Sequence, residues 1–103
     1  MFVIIGEFKF EVVEADTLID DKGNQYFGLT EYFQPRISIL KGLSDAQKRN
    51  TLTHEMTHAF MWAYGFGQCD EMSRELICEF VGTYAHAIVD AVNRVLGGEQ
   101  DGG

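Results

Sequence analysis

His54 and His58 stand four residues apart, with Glu55 directly after the first, in the run Thr51-Leu52-Thr53-His54-Glu55-Met56-Thr57-His58-Ala59-Phe60. On a helix this spacing puts both imidazoles on one face, where they can converge on a single metal ion. Glu55 lies about 100° round from His54. It therefore sits beside such an ion rather than on it, where a carboxylate can take a proton from water that the metal activates. His-Glu-x-x-His is the arrangement by which zinc hydrolases hold their ion. Pairs of histidines also occur on helices as ordinary polar residues, so the pattern takes its meaning from the elements that carry it.

Those elements read as a small α+β domain. Ser44 followed by Gln47 fits a capping box, with a helix opening at about Asp45. Leu52, Met56, Ala59, Phe60 and Ala63 recur at helical spacing as its core stripe and leave the histidines on the flank. Gly65 and Gly67 stop this helix, and Asp70 can cap a second one. Met72, Leu76, Ile77, Phe80, Val81, Tyr84, Ile88, Val92 and Leu96 keep the helical period up to Gly97-Gly98. Residues 97–103, glycine-rich and acidic, read as a flexible tail.

Upstream of the motif the period changes to two. Phe8, Phe10 and Val12 alternate with Glu7, Lys9 and Glu11, which predicts a first strand within residues 2–13. Asp20-Asp21-Lys22-Gly23-Asn24 is a polar turn, and residues 25–30 can form a second strand. Within it, Gly28 marks a bulge or a close approach. Residues 36–40, after Pro35, give a third strand with Ile37 and Ile39 on one side. The expected architecture is a three-stranded antiparallel sheet packed beside the motif helix and a long C-terminal helix, in one domain over residues 1–103.

Composition narrows the classes of function. At 103 residues the chain has room for one core. Apolar residues at 46% and charged residues at 23% indicate a globular chain rather than a disordered one. Sixteen acidic against eight basic residues give a net charge of −8, which repels phosphate backbones and disfavours direct nucleic-acid binding. The sequence shows no signal peptide and no apolar run long enough to span a membrane. Two cysteines, Cys69 and Cys78, are too few for a disulfide scaffold and read as reduced thiols, so the cytoplasm is the expected compartment.

A catalytic zinc ion needs three protein ligands and an open position. If a tight turn brings the second helix back antiparallel, His58 lies about 10 Å before Gly65 along the axis. Counted from Asp70, Glu75 lies about 7.5 Å along and Glu79 about 13.5 Å, level with His58 and His54 respectively. The two glutamates share a face, so one can bind the metal while the other supports a histidine. A solvated acidic face is the plain alternative for both. Cys69 stays open as a ligand, Cys78 reads as a buried small hydrophobe, and His86, about 24 Å back, lies past the metal. Trp62, Tyr64 and Phe66 read as caps on the core at the helix end, or as walls of a pocket.

The run Gly28-Leu29-Thr30-Glu31-Tyr32, the strand Arg36-Ile37-Ser38-Ile39, the motif itself and Glu75-Leu76-Ile77-Cys78-Glu79-Phe80 together resemble the ImmA/IrrE-like minimal metallopeptidases, many of them phage- or prophage-encoded. The resemblance covers residues from about 25 to 85. It implies a minimal zincin-like fold with Zn²⁺ on His54, His58 and Glu75 and with Glu55 as general base, which leaves Glu79, by the helix geometry, as the residue supporting a histidine. Cys78 and Glu79 depart from the family, which usually has alanine followed by asparagine or aspartate there. Known members cleave or disable transcriptional repressors.

The expected activity is hydrolysis of a peptide bond in a protein or peptide substrate, in the cytoplasm of a bacterial host. An extended substrate would add to a sheet edge, for which residues 36–40 are the expected strand. Tyr32, Tyr64, Tyr84 and His86 are candidate donors to the developing oxyanion. The rival reading is a non-catalytic binding protein of phage type that keeps the fold and acts on a basic protein partner. A third is a structural zinc module, closed by Cys69 or Asp70, that unfolds on chelation.

Overall fold

The computed structural model describes residues 1–66 and 74–97, with Arg74 and Glu75 placed by their backbone alone. Strands β1 (Phe2–Ile5), β2 (Phe8–Ala15), β3 (Gly28–Glu31) and β4 (Arg36–Leu40) precede helices α1 (Asp45–Ala63) and α2 (Arg74–Leu96). The strands form one sheet in the order β1-β2-β4-β3. β2 and β4 run parallel, while β1–β2 and β3–β4 are antiparallel.

This corrects the expected three-stranded antiparallel sheet: the chain is α+β, but its sheet has four strands and mixed direction. The first difference has a local cause. Gly6 takes a left-handed φ of 60°, and Ile5 pairs with Phe8. Gly6-Glu7 is thus a two-residue hairpin connection with glycine at its first position, and it folds the predicted first strand into two.

The second difference concerns strand order. Asp20 accepts hydrogen bonds from the backbone N–H groups of Lys22 and Asn24 and from the Tyr26 hydroxyl, at 2.9, 2.8 and 2.9 Å. Its turn closes on its own side chain and carries one isolated bridge, Ile19 to Gln25, instead of joining neighbouring strands. The hairpin that follows inserts β4, not β3, beside β2. β4 buries Ile37, Ser38 and Ile39, so it takes a central place, whereas half-exposed β3 takes the edge. Residues 36–40 are therefore an interior strand and not the edge at which a substrate could add.

α1 forms as the sequence predicts. Ser44 and Gln47 complete a reciprocal capping box, and Gly65, at φ 85°, follows the end of the helix. Leu52, Met56, Ala59 and Phe60 are buried with Val3, Ile5, Phe10, Val12, Ile37 and Ile39 of the sheet. Each fully buried large side chain among them contributes about 1.5–3 kcal/mol.

α2 lies antiparallel to α1. The Arg49 guanidinium donates to the Asn93 side-chain oxygen at 2.9 Å, Phe60 meets Tyr84 at 6.3 Å between ring centroids, and Phe66 meets Phe80 at 5.0 Å. Phe80, Ile88, Ala91 and Val92 form its buried stripe. Ile77 and Val81, expected in that stripe, are exposed. Gly97 remains bonded to the Asn93 carbonyl at 2.9 Å, whereas Gly67, Cys69, Asp70, Met72 and residues 98–103 of the predicted tail lie outside the described residues.

Candidate metal centre

The capped, continuous helix α1 presents the motif as its spacing predicts. His54 and His58 are exposed, with their Nε2 atoms 3.2 Å apart and their ring centroids 4.7 Å apart. Two nitrogens bound to one tetrahedral zinc at about 2.0–2.1 Å would stand about 3.3–3.4 Å apart. The pair thus has the separation and the donor chemistry of two ligands to one ion. The same separation also serves a ring-to-ring hydrogen bond in which one Nε2–H donates to the other.

Glu55 is built differently. The residue is only 8% exposed, on the side of α1 that packs against β3. The Thr30 hydroxyl lies 2.7 Å from Glu55 Oε1 and 3.2 Å from the Glu55 carbonyl oxygen. Oε2 lies 4.0 Å from His54 Nε2. Thr30 therefore holds Oε1, while Oε2 lies between Gly28 of β3 and His54. A neutral-hydroxyl partner stabilises a buried carboxylate without neutralising it.

Gly28 makes this packing possible. A Cβ at that position would stand 2.7 Å from Thr51 Cγ2 and 2.9 Å from Glu55 Cγ. The close approach that the sequence marks at Gly28 is real, and its partner is the motif itself. Beyond it, Tyr32 stacks on Trp62 at 5.2 Å, and Trp62 also meets Phe8 and Phe10, so the aromatic end of α1 caps the core. Burial, and then the charge of Glu55, hold the Tyr32 phenol above its ordinary pKa of 10.0, so it keeps its proton across the neutral range.

The helix register differs from the ideal tight turn. Because Phe66, which follows the C-terminal end of α1, meets Phe80, Glu79 lies near that end of α1 rather than level with His54. Glu79 is exposed on α2, and the Glu75 side chain lies outside the described residues, as do Cys69 and Asp70. Among the described residues no third His, Cys, Asp or Glu completes a metal-binding group with the pair. Cys78, expected to be buried, is an exposed free thiol, and His86 is exposed on α2. Residues near 84–86, not Glu79, are level with His58, since Phe60 meets Tyr84. Tyr64 stacks on Tyr84 at 4.5 Å, on the α2 side of α1.

Thr30 is the contact that the sequence reading missed. Its signal was present in the period of the strand: Gly28 and Thr30 alternate onto the face that meets α1, two residues apart. A cavity of about 640 Å³ lies elsewhere, lined among others by Val12, Glu14, Lys48, Leu52 and Val95, and contains none of the motif residues. No helix of the described residues is long and apolar enough to cross a membrane. Comparison with family models, curated proteins and solved structures finds no match.

Proposed function

We propose that the protein is a zinc-dependent peptidase whose ion is held by His54 and His58 and whose general base is Glu55. One observation carries the reading: two exposed imidazole nitrogens 3.2 Å apart, with the second oxygen of a buried carboxylate 4.0 Å from one of them, His54 Nε2. When bound, zinc supplies Lewis acidity to water and to the scissile carbonyl. Glu55 Oε2 receives the water proton and returns it to the leaving amine, while Oε1 stays on Thr30. Tyr32, a neutral phenol near Glu55, is the candidate to donate to the developing oxyanion.

The substrate in this reading is an extended peptide. β3 is the sheet edge that borders Glu55, so a substrate strand adds there. The resemblance to ImmA/IrrE-like metallopeptidases implies Glu75 as third ligand; since α2 meets His58 near residues 84–86, Glu75 would reach the ion only if α2 shifted along α1, and Glu75→Ala tests this by loss of zinc. The same resemblance supports a phage or prophage origin, action in a bacterial cytoplasm and a transcriptional repressor as substrate.

The deciding assay incubates the zinc-loaded full chain with a quenched fluorescent peptide library. Turnover that disappears with Glu55→Gln, while zinc is retained, supports the peptidase. The rival reading, a non-catalytic binding protein, draws on the openness of the site, where the His54 side chain is 68% exposed. It predicts that Glu55→Gln changes nothing and that the wild type cleaves no member of the library.

A further inference from the structure

We propose that Thr30 is a positioning residue that holds the Glu55 side chain in the one rotamer whose free carboxylate oxygen lies beside His54, with Gly28 supplying the space. The inference rests on the reading of Glu55 as the base. A glutamate has three side-chain torsions, and on an open helix flank it samples several rotamers. Glu55 is instead enclosed between α1 and β3, with Oε2 4.0 Å from His54 Nε2.

Thr30 has one hydroxyl proton and two acceptors within reach, Glu55 Oε1 at 2.7 Å and the Glu55 carbonyl oxygen at 3.2 Å. The shorter contact to the charged oxygen takes the proton, because a hydrogen bond to a carboxylate is roughly twice as strong as one between neutral groups. Threonine suits the task better than serine. Its branched Cβ restricts χ1, so the hydroxyl is already aimed before the carboxylate arrives.

Gly28 closes the arrangement from the other side. Its missing Cβ would lie 2.9 Å from Glu55 Cγ and 3.3 Å from Oε2, so any side chain there would push the carboxylate off its place. The two inward positions of β3 thus divide the work: Thr30 pulls on Oε1, and Gly28 leaves Oε2 its room.

Thr30→Val keeps the shape of the side chain and removes the proton. In the zinc-loaded chain it lowers kcat about 10- to 100-fold with KM unchanged, as the loss of a partner that orients a functional side chain does. Thr30→Ser restores most of the rate. The second readout needs neither zinc nor substrate: NMR couplings of selectively labelled glutamate in the metal-free protein. Glu55 occupies one rotamer in the wild type and in Thr30→Ser, and averages over several in Thr30→Val.

A single Glu55 rotamer in Thr30→Val overturns the proposal, whatever the activity. Averaging in Thr30→Val, in a wild type that cleaves nothing, upholds the positioning role and removes the peptidase reading instead. If Thr30→Val fails to fold, Thr30→Ala, which only removes atoms, gives the same reading from the same couplings.

Discussion

α1 has two packed flanks, and they are made by opposite means. Towards α2 the contact is aromatic: Phe60, Tyr64, Phe66, Phe80 and Tyr84 meet in a continuous set of rings. Towards β3 it is close and polar, with a glycine, a threonine and the buried Glu55. The aromatic flank draws its strength from buried area, which is insensitive to small shifts. The β3 flank draws it from one hydrogen bond and one absent methyl, which a shift of a few tenths of an ångström disturbs. The candidate chemistry lies on the second.

Breaking the aromatic flank has the largest effect on stability. Phe80→Ala, at a position 3% exposed, costs about 3–5 kcal/mol in urea unfolding, and Phe80→Leu much less. On the β3 flank, Gly28→Ala costs about 1–3 kcal/mol, because Thr51 and Glu55 must both move. Its control is Gly82→Ala in exposed α2, where an added Cβ meets nothing and the helix gains about 0.5–1 kcal/mol. An equal effect at the two glycines would erase the contrast between a close approach and an open helix surface.

The smallest effect lies away from both flanks. Lys48 bonds Glu14 at 2.8 Å and holds its carboxyl below the ordinary 4.5. A carboxylate depressed in the folded state stabilises above the unfolded value and loses that contribution as pH falls through the folded one. The stability difference between wild type and Glu14→Gln is therefore under about 1 kcal/mol at neutral pH, as for exposed ion pairs, and shrinks towards zero below pH 4.5. A difference that grows in acid would contradict the pairing.

What the sequence discloses divides along the same line. α1 is legible throughout, because Ser44, Gln47, the Leu52-Met56-Ala59-Phe60 stripe and Gly65 are local signals that agree. Gly28 is legible as a close approach, though not what it approaches. Strand order is not, since period two says which side chains share a face but nothing about which strand lies beside which. Asp20-Asp21-Lys22-Gly23-Asn24 reads as a polar turn and does reverse the chain, but it joins only the isolated Ile19–Gln25 bridge and not two neighbouring strands of the sheet. The register of α2 was hidden for a related reason: it is set by Phe66 on Phe80, a contact between distant residues that helical spacing does not encode. The same applies to Thr30, whose partner lies 25 positions away.

The central claim is that His54 and His58 hold a metal, and zinc titration of the metal-free chain by calorimetry tests it most directly. One zinc per chain in the wild type, with binding lost in His58→Ala and folding retained by that exposed substitution, is the predicted result. A wild type that stays folded and takes up no zinc, or a His58→Ala variant that binds it equally well, would contradict the account.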